Sequence, residues 1–77
     1  MNEVFLPELG EGIKKATVAC WHVKPGEMVT LDEDLVEVVT DKASFCIPAP
    51  KTGRLQNILI AAGEEATIGE VLGIIGS

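Results

Sequence analysis

Basic residues are scarce in this 77-residue chain: Lys14, Lys15, Lys24, Lys42, Lys51 and Arg54 are all there are, against twelve Asp and Glu. The resulting net charge of −6 argues against a nucleic-acid surface, because phosphate binding needs clustered Lys and Arg to displace counterions. It suits a module kept in solution and steered towards basic partners. Cysteine is limited to Cys20 and Cys46, too few for a disulfide-rich secreted scaffold. The expected compartment is the cytoplasm, or the mitochondrial matrix if a transit peptide has been removed. No apolar run approaches the roughly 20 residues of a membrane span, and the N-terminus lacks the basic-then-apolar build of a signal peptide. Helix-length windows are missing too, since Gly or Pro interrupts nearly all of them. No nucleophile–base pair or metal-ligand cluster stands out, so neither a small stand-alone enzyme nor a metal site is expected.

What is present is an ordinary globular composition, 47% apolar and 23% charged, with room for one thin core. Apolar and polar residues alternate with period two, the mark of strands with one face against a core. Strands are expected at Val4–Leu6, Ala16–Val23, Met28–Leu31, Leu35–Thr40, Ala43–Ile47, Leu55–Ile60, Ala66–Ile68 and Val71–Ile75. On the second, Ala19, Trp21 and Val23 are expected to face the core, with Cys20, His22 and Lys24 outside. His22 then reads as a surface residue without a convincing partner. Cys20 and Cys46 read as two free outward thiols that neighbouring strands could set face to face. Asp32-Glu33-Asp34 lacks the spaced ligands and glycine of a calcium loop and reads as a solvated acidic corner. Gly10-Glu11-Gly12 lacks the third glycine and the following helix of a dinucleotide loop and reads as a flexible connection. Eight short strands separated by turn residues indicate an all-β sandwich or flattened barrel.

An internal repeat sharpens this. Pro25-Gly26-Glu27-Met28-Val29-Thr30-Leu31 followed by Leu35–Val39 matches Ala62-Gly63-Glu64-Glu65-Ala66-Thr67-Ile68 followed by Val71–Ile75. The offset reads as 37 residues at the glycines and 36 at the following strand, a one-residue indel. Two such copies imply two halves related by approximate two-fold symmetry, each donating strands to both sheets. Asp41-Lys42 joins the halves, and its symmetry mate falls where Ile75-Gly76 approaches Met1-Asn2. Lys42 is therefore expected at one pole and both chain ends at the other.

Four segments, Leu6-Pro7-Glu8-Leu9-Gly10-Glu11-Gly12-Ile13, Lys24-Pro25-Gly26-Glu27, Thr40-Asp41-Lys42-Ala43 and Gly63-Glu64, together resemble the lipoyl domain of 2-oxo acid dehydrogenase acyltransferases. The resemblance covers essentially the whole chain. It implies a barrel-sandwich hybrid, two four-stranded antiparallel sheets with pseudo-two-fold symmetry, spanning 1–77 as the N-terminal piece of a longer acyltransferase. It implies lipoic acid attached covalently to Lys42, flanked by Asp41 and Ala43, and a swinging-arm carrier that is not itself an enzyme. The arm would be reductively acylated by a thiamine-dependent 2-oxo acid dehydrogenase, then visit the acyltransferase and dihydrolipoamide dehydrogenase active sites. A lipoate-attaching enzyme is a further implied partner, and the isolated domain is expected to be monomeric. Partner recognition is expected from Glu8, Leu9, Glu11, Gly12 and Thr40.

The residues support these roles chemically. Lysine offers a flexible stem and an amine that is nucleophilic once deprotonated. Asp41 is expected to favour the turn by bonding its own backbone, and small Ala43 leaves the approach open. Lys14, Lys15, Lys24 and Lys51 lack the central position and the flanking pair and read as surface residues. One departure is Val39, two residues before Asp41, where many relatives carry glutamate; it bears on partner preference, not on modification. The alternatives are a biotinyl carrier domain, whose lysine is typically flanked by methionines, and an unmodified barrel-sandwich interaction module.

Overall fold

The computed structural model describes residues 2–76. Eight strands follow in chain order: β1 (Asn2–Phe5), β2 (Lys15–Trp21), β3 (Met28–Val29), β4 (Asp34–Val39), β5 (Ser44–Pro48), β6 (Gly53–Ile58), β7 (Glu65–Thr67) and β8 (Val71–Gly76). They form two four-stranded sheets, ordered β1-β8-β6-β3 and β5-β4-β2-β7, with every pairing antiparallel. Among the described residues there is no helix. The all-β, two-sheet architecture expected from the sequence is the one found, with strand ends shifted by a few residues.

The corners of the two halves repeat the same hydrogen bonds. Gly26 and Gly63 both sit at positive φ, 96° and 91°; their amides donate to the Leu55 and Val18 carbonyls, each at 2.7 Å. Just before and after them the Glu27 carboxylate accepts from the Lys24 amide at 2.7 Å, and Glu64 accepts from Ala61 at 2.8 Å. The next corners repeat the device, Glu33 accepting from the Thr30 amide at 3.1 Å and Glu70 from Thr67 at 2.9 Å. The acidic corner is thus a built turn whose glutamate caps a backbone amide, not merely solvated charge. Asp32 (φ 69°) occupies the place of Gly69 (φ 90°). Between the β2-to-β4 and β6-to-β8 segments equivalent residues stand 37 apart: Trp21↔Val36 matches Ile58↔Gly73, and Thr17↔Val39 matches Arg54↔Gly76. The expected indel is therefore absent. Leu35 aligns with Leu72, both fully buried, and not with Val71, because each leucine is the residue facing the core after its corner.

A second correction concerns β2. Its register with β4 shifts between Val18 and Cys20, a bulge that leaves Ala19 without a partner and turns it outward, exposed. The inward residues are therefore Ala16 and Val18 before the bulge and Trp21 after it. Its mate in β6 is the shift between Leu55 and Asn57.

The core between the sheets is wholly aliphatic, with Leu6, Val18, Leu35, Leu55, Leu72 and Ile75 all at or below 1% exposure. Burying each such side chain contributes about 1.5–3 kcal/mol before chain entropy is counted. Trp21 packs on this core from its rim, half-buried, with Nε1 donating to the Ile60 carbonyl at 2.9 Å.

The hydrogen bonds also place the two poles. Val39, two residues before Asp41, pairs with Thr17, and Lys15 with Thr67. The Ile68 amide donates to the Lys14 carbonyl, and Gly69 to Leu6. The Leu6 end of β1 therefore lies towards the Lys42 pole. Asn2, paired with Ile75, and Gly76 lie at the far end of the same sheet. Met1, part of the expected junction, lies outside the described residues, as does Ser77.

Candidate functional site

Lys42 occupies the two-residue turn between β4 and β5. The Thr40 amide donates to the Ala43 carbonyl at 2.8 Å, closing the hairpin around Asp41 and Lys42. Neither has positive φ, so the turn is not of the primed kind whose twist matches the strands, and an unprimed turn tends to splay them. The Thr40 side chain holds it. Its hydroxyl accepts from the amides of Lys42 and Ala43, both at 3.1 Å, and donates to the Ala43 carbonyl at 3.1 Å. The expectation that Asp41 braces the turn is corrected: the bracing belongs to Thr40, whose shorter side chain sits one residue earlier. Asp41, Lys42 and Ala43 are all exposed, and Lys42 makes no ion pair among the described residues.

Beside the turn lies the β1–β2 loop. Gly12, at φ 83°, lets this loop fold back, and the Ile13 amide donates to Gly10 at 3.2 Å. Loop and turn enclose a shallow groove of about 510 Å³ lined by Gly12, Lys14, Thr17, Val39, Lys42 and Glu65, among others. Of the residues expected to recognise partners, Gly12 and Thr40 reach this groove. Glu8 and Glu11 are exposed outside it, and Leu9 is half-buried against the core. Sequence reasoning missed Lys15 and Glu65, which line the groove and pair at 3.5 Å. Both are exposed, so the pair contributes little to stability.

The outer face of the β5-β4-β2-β7 sheet holds a second group. Cys20 pairs with Glu37 from β2, and Cys46 pairs with Glu37 from β5. The two cysteines are thus separated by a whole strand, their Cα atoms roughly 9.5 Å apart at the inter-strand spacing, beyond the Cα separation a disulfide spans. They are free, but not on neighbouring strands. Desolvation, then the Asp34 and Glu37 carboxylates, with Cys20 adding to them, push the Cys46 thiol above the ordinary thiol range. His22 is not without partners: its Nε2 lies 3.9 Å from Glu37 Oε1.

A small β-sandwich with an exposed lysine on a braced hairpin tip, at the pole away from Asn2 and Gly76, has the architecture of a carrier domain. The biotin/lipoyl family model, described as "Biotin-requiring enzyme", matches residues 2–75. The chain is 42% identical over 71 residues to the dihydrolipoyllysine-residue succinyltransferase component of the 2-oxoglutarate dehydrogenase complex of Escherichia coli strain K12. That match covers 92% of this chain and 18% of the relative. It is 36% identical over 70 residues to the dihydrolipoyllysine-residue acetyltransferase component of the pyruvate dehydrogenase complex of Staphylococcus aureus strain Mu50, covering 91% of this chain and 16% of the relative. The chain thus spans under a fifth of the length of these relatives. Among solved structures it resembles the lipoyl domain of the 2-oxoglutarate dehydrogenase complex from Azotobacter vinelandii. There the TM-score is 0.80 and the identity 35%, covering 100% of this chain and 98% of that one. The chain belongs to the biotin/lipoyl attachment family, on the lipoyl-domain side of it.

Proposed function

We propose that Lys42 is the lipoyl attachment site and that the domain serves as the swinging arm of a 2-oxo acid dehydrogenase complex. The observation that carries this is the exposed, unpaired amine on a turn held by the Thr40 hydroxyl, at the pole away from Asn2 and Gly76. The residues fit the group. Nothing covers the amine, so a modifying enzyme can enclose it, and the flanking Asp41 and Ala43 carry no methionine of the biotinyl kind.

When bound, lipoic acid supplies a cyclic disulfide that takes up an acyl group as it is reduced. The chain's own contribution is geometric. The braced turn keeps the base of the arm fixed, so the motion lies in the lysine stem and its attachment. Tethering raises the local concentration of the carried group at the next active site to roughly millimolar. The acidic surface discourages non-productive association and steers the domain to basic entrances. The groove between the Gly12 loop and the Lys42 turn is the surface we assign to the thiamine-dependent dehydrogenase. The acyltransferase and dihydrolipoamide dehydrogenase sites are the arm's later destinations. Free thiols at Cys20 and Cys46 fit a reducing compartment, the cytoplasm or mitochondrial matrix.

The test is reductive acylation. The lipoylated chain is incubated with a thiamine-dependent 2-oxoglutarate or pyruvate dehydrogenase and its 2-oxo acid, and acyl adducts are read by peptide mass. A succinyl or acetyl adduct on the Lys42 peptide is expected with at least one of the pair, and none on the Lys42→Arg chain. Failure with both enzymes would overturn the reading.

A further inference from the structure

The outer face of the β5-β4-β2-β7 sheet carries a donor set that the carrier role does not use. Cys20 lies near the end of β2 and His22 just past it, where the chain stays bonded to the residue before Val36, so the two, two residues apart, project to the same side. The bulge at Ala19 sets the register: without it Ala19, and not Cys20, would stand opposite Glu37. Glu37 lies directly across from Cys20 on β4. The backbone holds all three in place, since the His22 amide donates to the Leu35 carbonyl at 2.9 Å and β4 is an interior strand, paired on both sides. One Sγ, one imidazole nitrogen and one carboxylate oxygen lie within 4.8 Å of one another. Ligand atoms around a tetrahedral ion with bonds of about 2.0–2.3 Å stand roughly 3.3–3.8 Å apart. The side chains are exposed or half-buried, so rotation about their χ angles is the route by which they would close the difference.

We propose that Cys20, His22 and Glu37 form a binding site for a borderline-soft divalent cation of the zinc class. The mixed sulfur, nitrogen and oxygen donors favour such an ion over magnesium or calcium, which take oxygen. Three protein ligands leave a fourth position open to water, as in other sites of this ligand count. Cys46, beyond Glu37 on β5, lies outside the three-atom cluster and is not a ligand. The ion would staple β2 to β4 across the sheet's outer face, fastening the strand that leads into the Lys42 turn. The site is independent of lipoylation.

Cobalt titration tests this, in a Lys42→Arg background so that no attached dithiol competes. One equivalent of Co²⁺ is expected to produce a saturable thiolate-to-metal charge-transfer band, reversed by Zn²⁺. Cys20→Ser is expected to remove the band. His22→Asn and Glu37→Gln are expected to weaken binding at least about tenfold, a loss that even outer-shell partners of metal ligands commonly cause. Cys46→Ser is expected to keep band and affinity. Trp21 fluorescence and thermal melts confirm that each variant folds, and Zn²⁺ is expected to raise Tm only where the three ligands are intact. No saturable band in the parent chain would overturn the proposal. So would a band that survives Cys20→Ser and is lost in Cys46→Ser.

Discussion

At Lys42 the side chain is free while the backbone beneath it is tied down, and the tie is Thr40. Thr40→Val keeps the shape but removes a hydroxyl making three hydrogen bonds. A loss of about 1 kcal/mol is expected from chemical denaturation, the net value of an exposed hydrogen-bond set, together with slower lipoylation. Lys42→Ala, by contrast, is expected to leave the unfolding midpoint unchanged, because the side chain buries almost nothing. Trp21 is the opposite case. Its Nε1 bond to Ile60 and its contact with Gly73 make Trp21→Ala cost about 3 kcal/mol, the low end for aromatic truncation since the ring is half-exposed. A Cβ at Gly73 would stand 2.8 Å from both the Trp21 ring and the Asn57 carbonyl. Gly73→Ala is therefore expected to cost about 1–3 kcal/mol by overpacking. Lys42 was legible in the sequence because its neighbours and midpoint position are local facts. The role of Thr40 was not, because which side chain braces a turn depends on the φ of residues that carry no glycine to announce it.

At the scale of elements, period-two alternation located all eight strands, because each buries one face. The bulge at Ala19 escaped it: one extra residue inverts the alternation, and small apolar alanine is tolerated on either face. The size of the repeat offset was misread for a related reason. Val71 and Leu72 are both apolar, and only the corner hydrogen bonds decide that Leu72 is the mate of Leu35. These corners make a paired prediction. Gly26 and Gly63 have open space where a Cβ would go, so Gly26→Ala and Gly63→Ala should each cost only the left-handed strain, roughly 1–2 kcal/mol. Equal losses in urea melts are expected; a difference of more than twofold would mean the two corners are not equivalent. Asp32→Gly, which places at that corner the residue its mate already has, is expected to be neutral or slightly stabilising.

Over the whole molecule, 34 Å in its longest dimension, the two-fold arrangement separates the tip from Asn2 and Gly76. That separation lets an end-tethered domain present one amine outward. It was legible from the repeat, because two halves that exchange strands must place their junction opposite their termini. The meeting of Cys20, His22 and Glu37 was not legible. It depends on the β2–β4 register, which the bulge sets, and no local spacing records a cross-strand pair. The measurement that bears most directly on the tip is site mapping after incubation with lipoate, ATP and a lipoate ligase. Peptide mass spectrometry should find a single lipoyl group on Lys42, with Lys14, Lys15, Lys24 and Lys51 unmodified. A lipoyl group on any of those four, or mass addition that persists in Lys42→Arg, would contradict it.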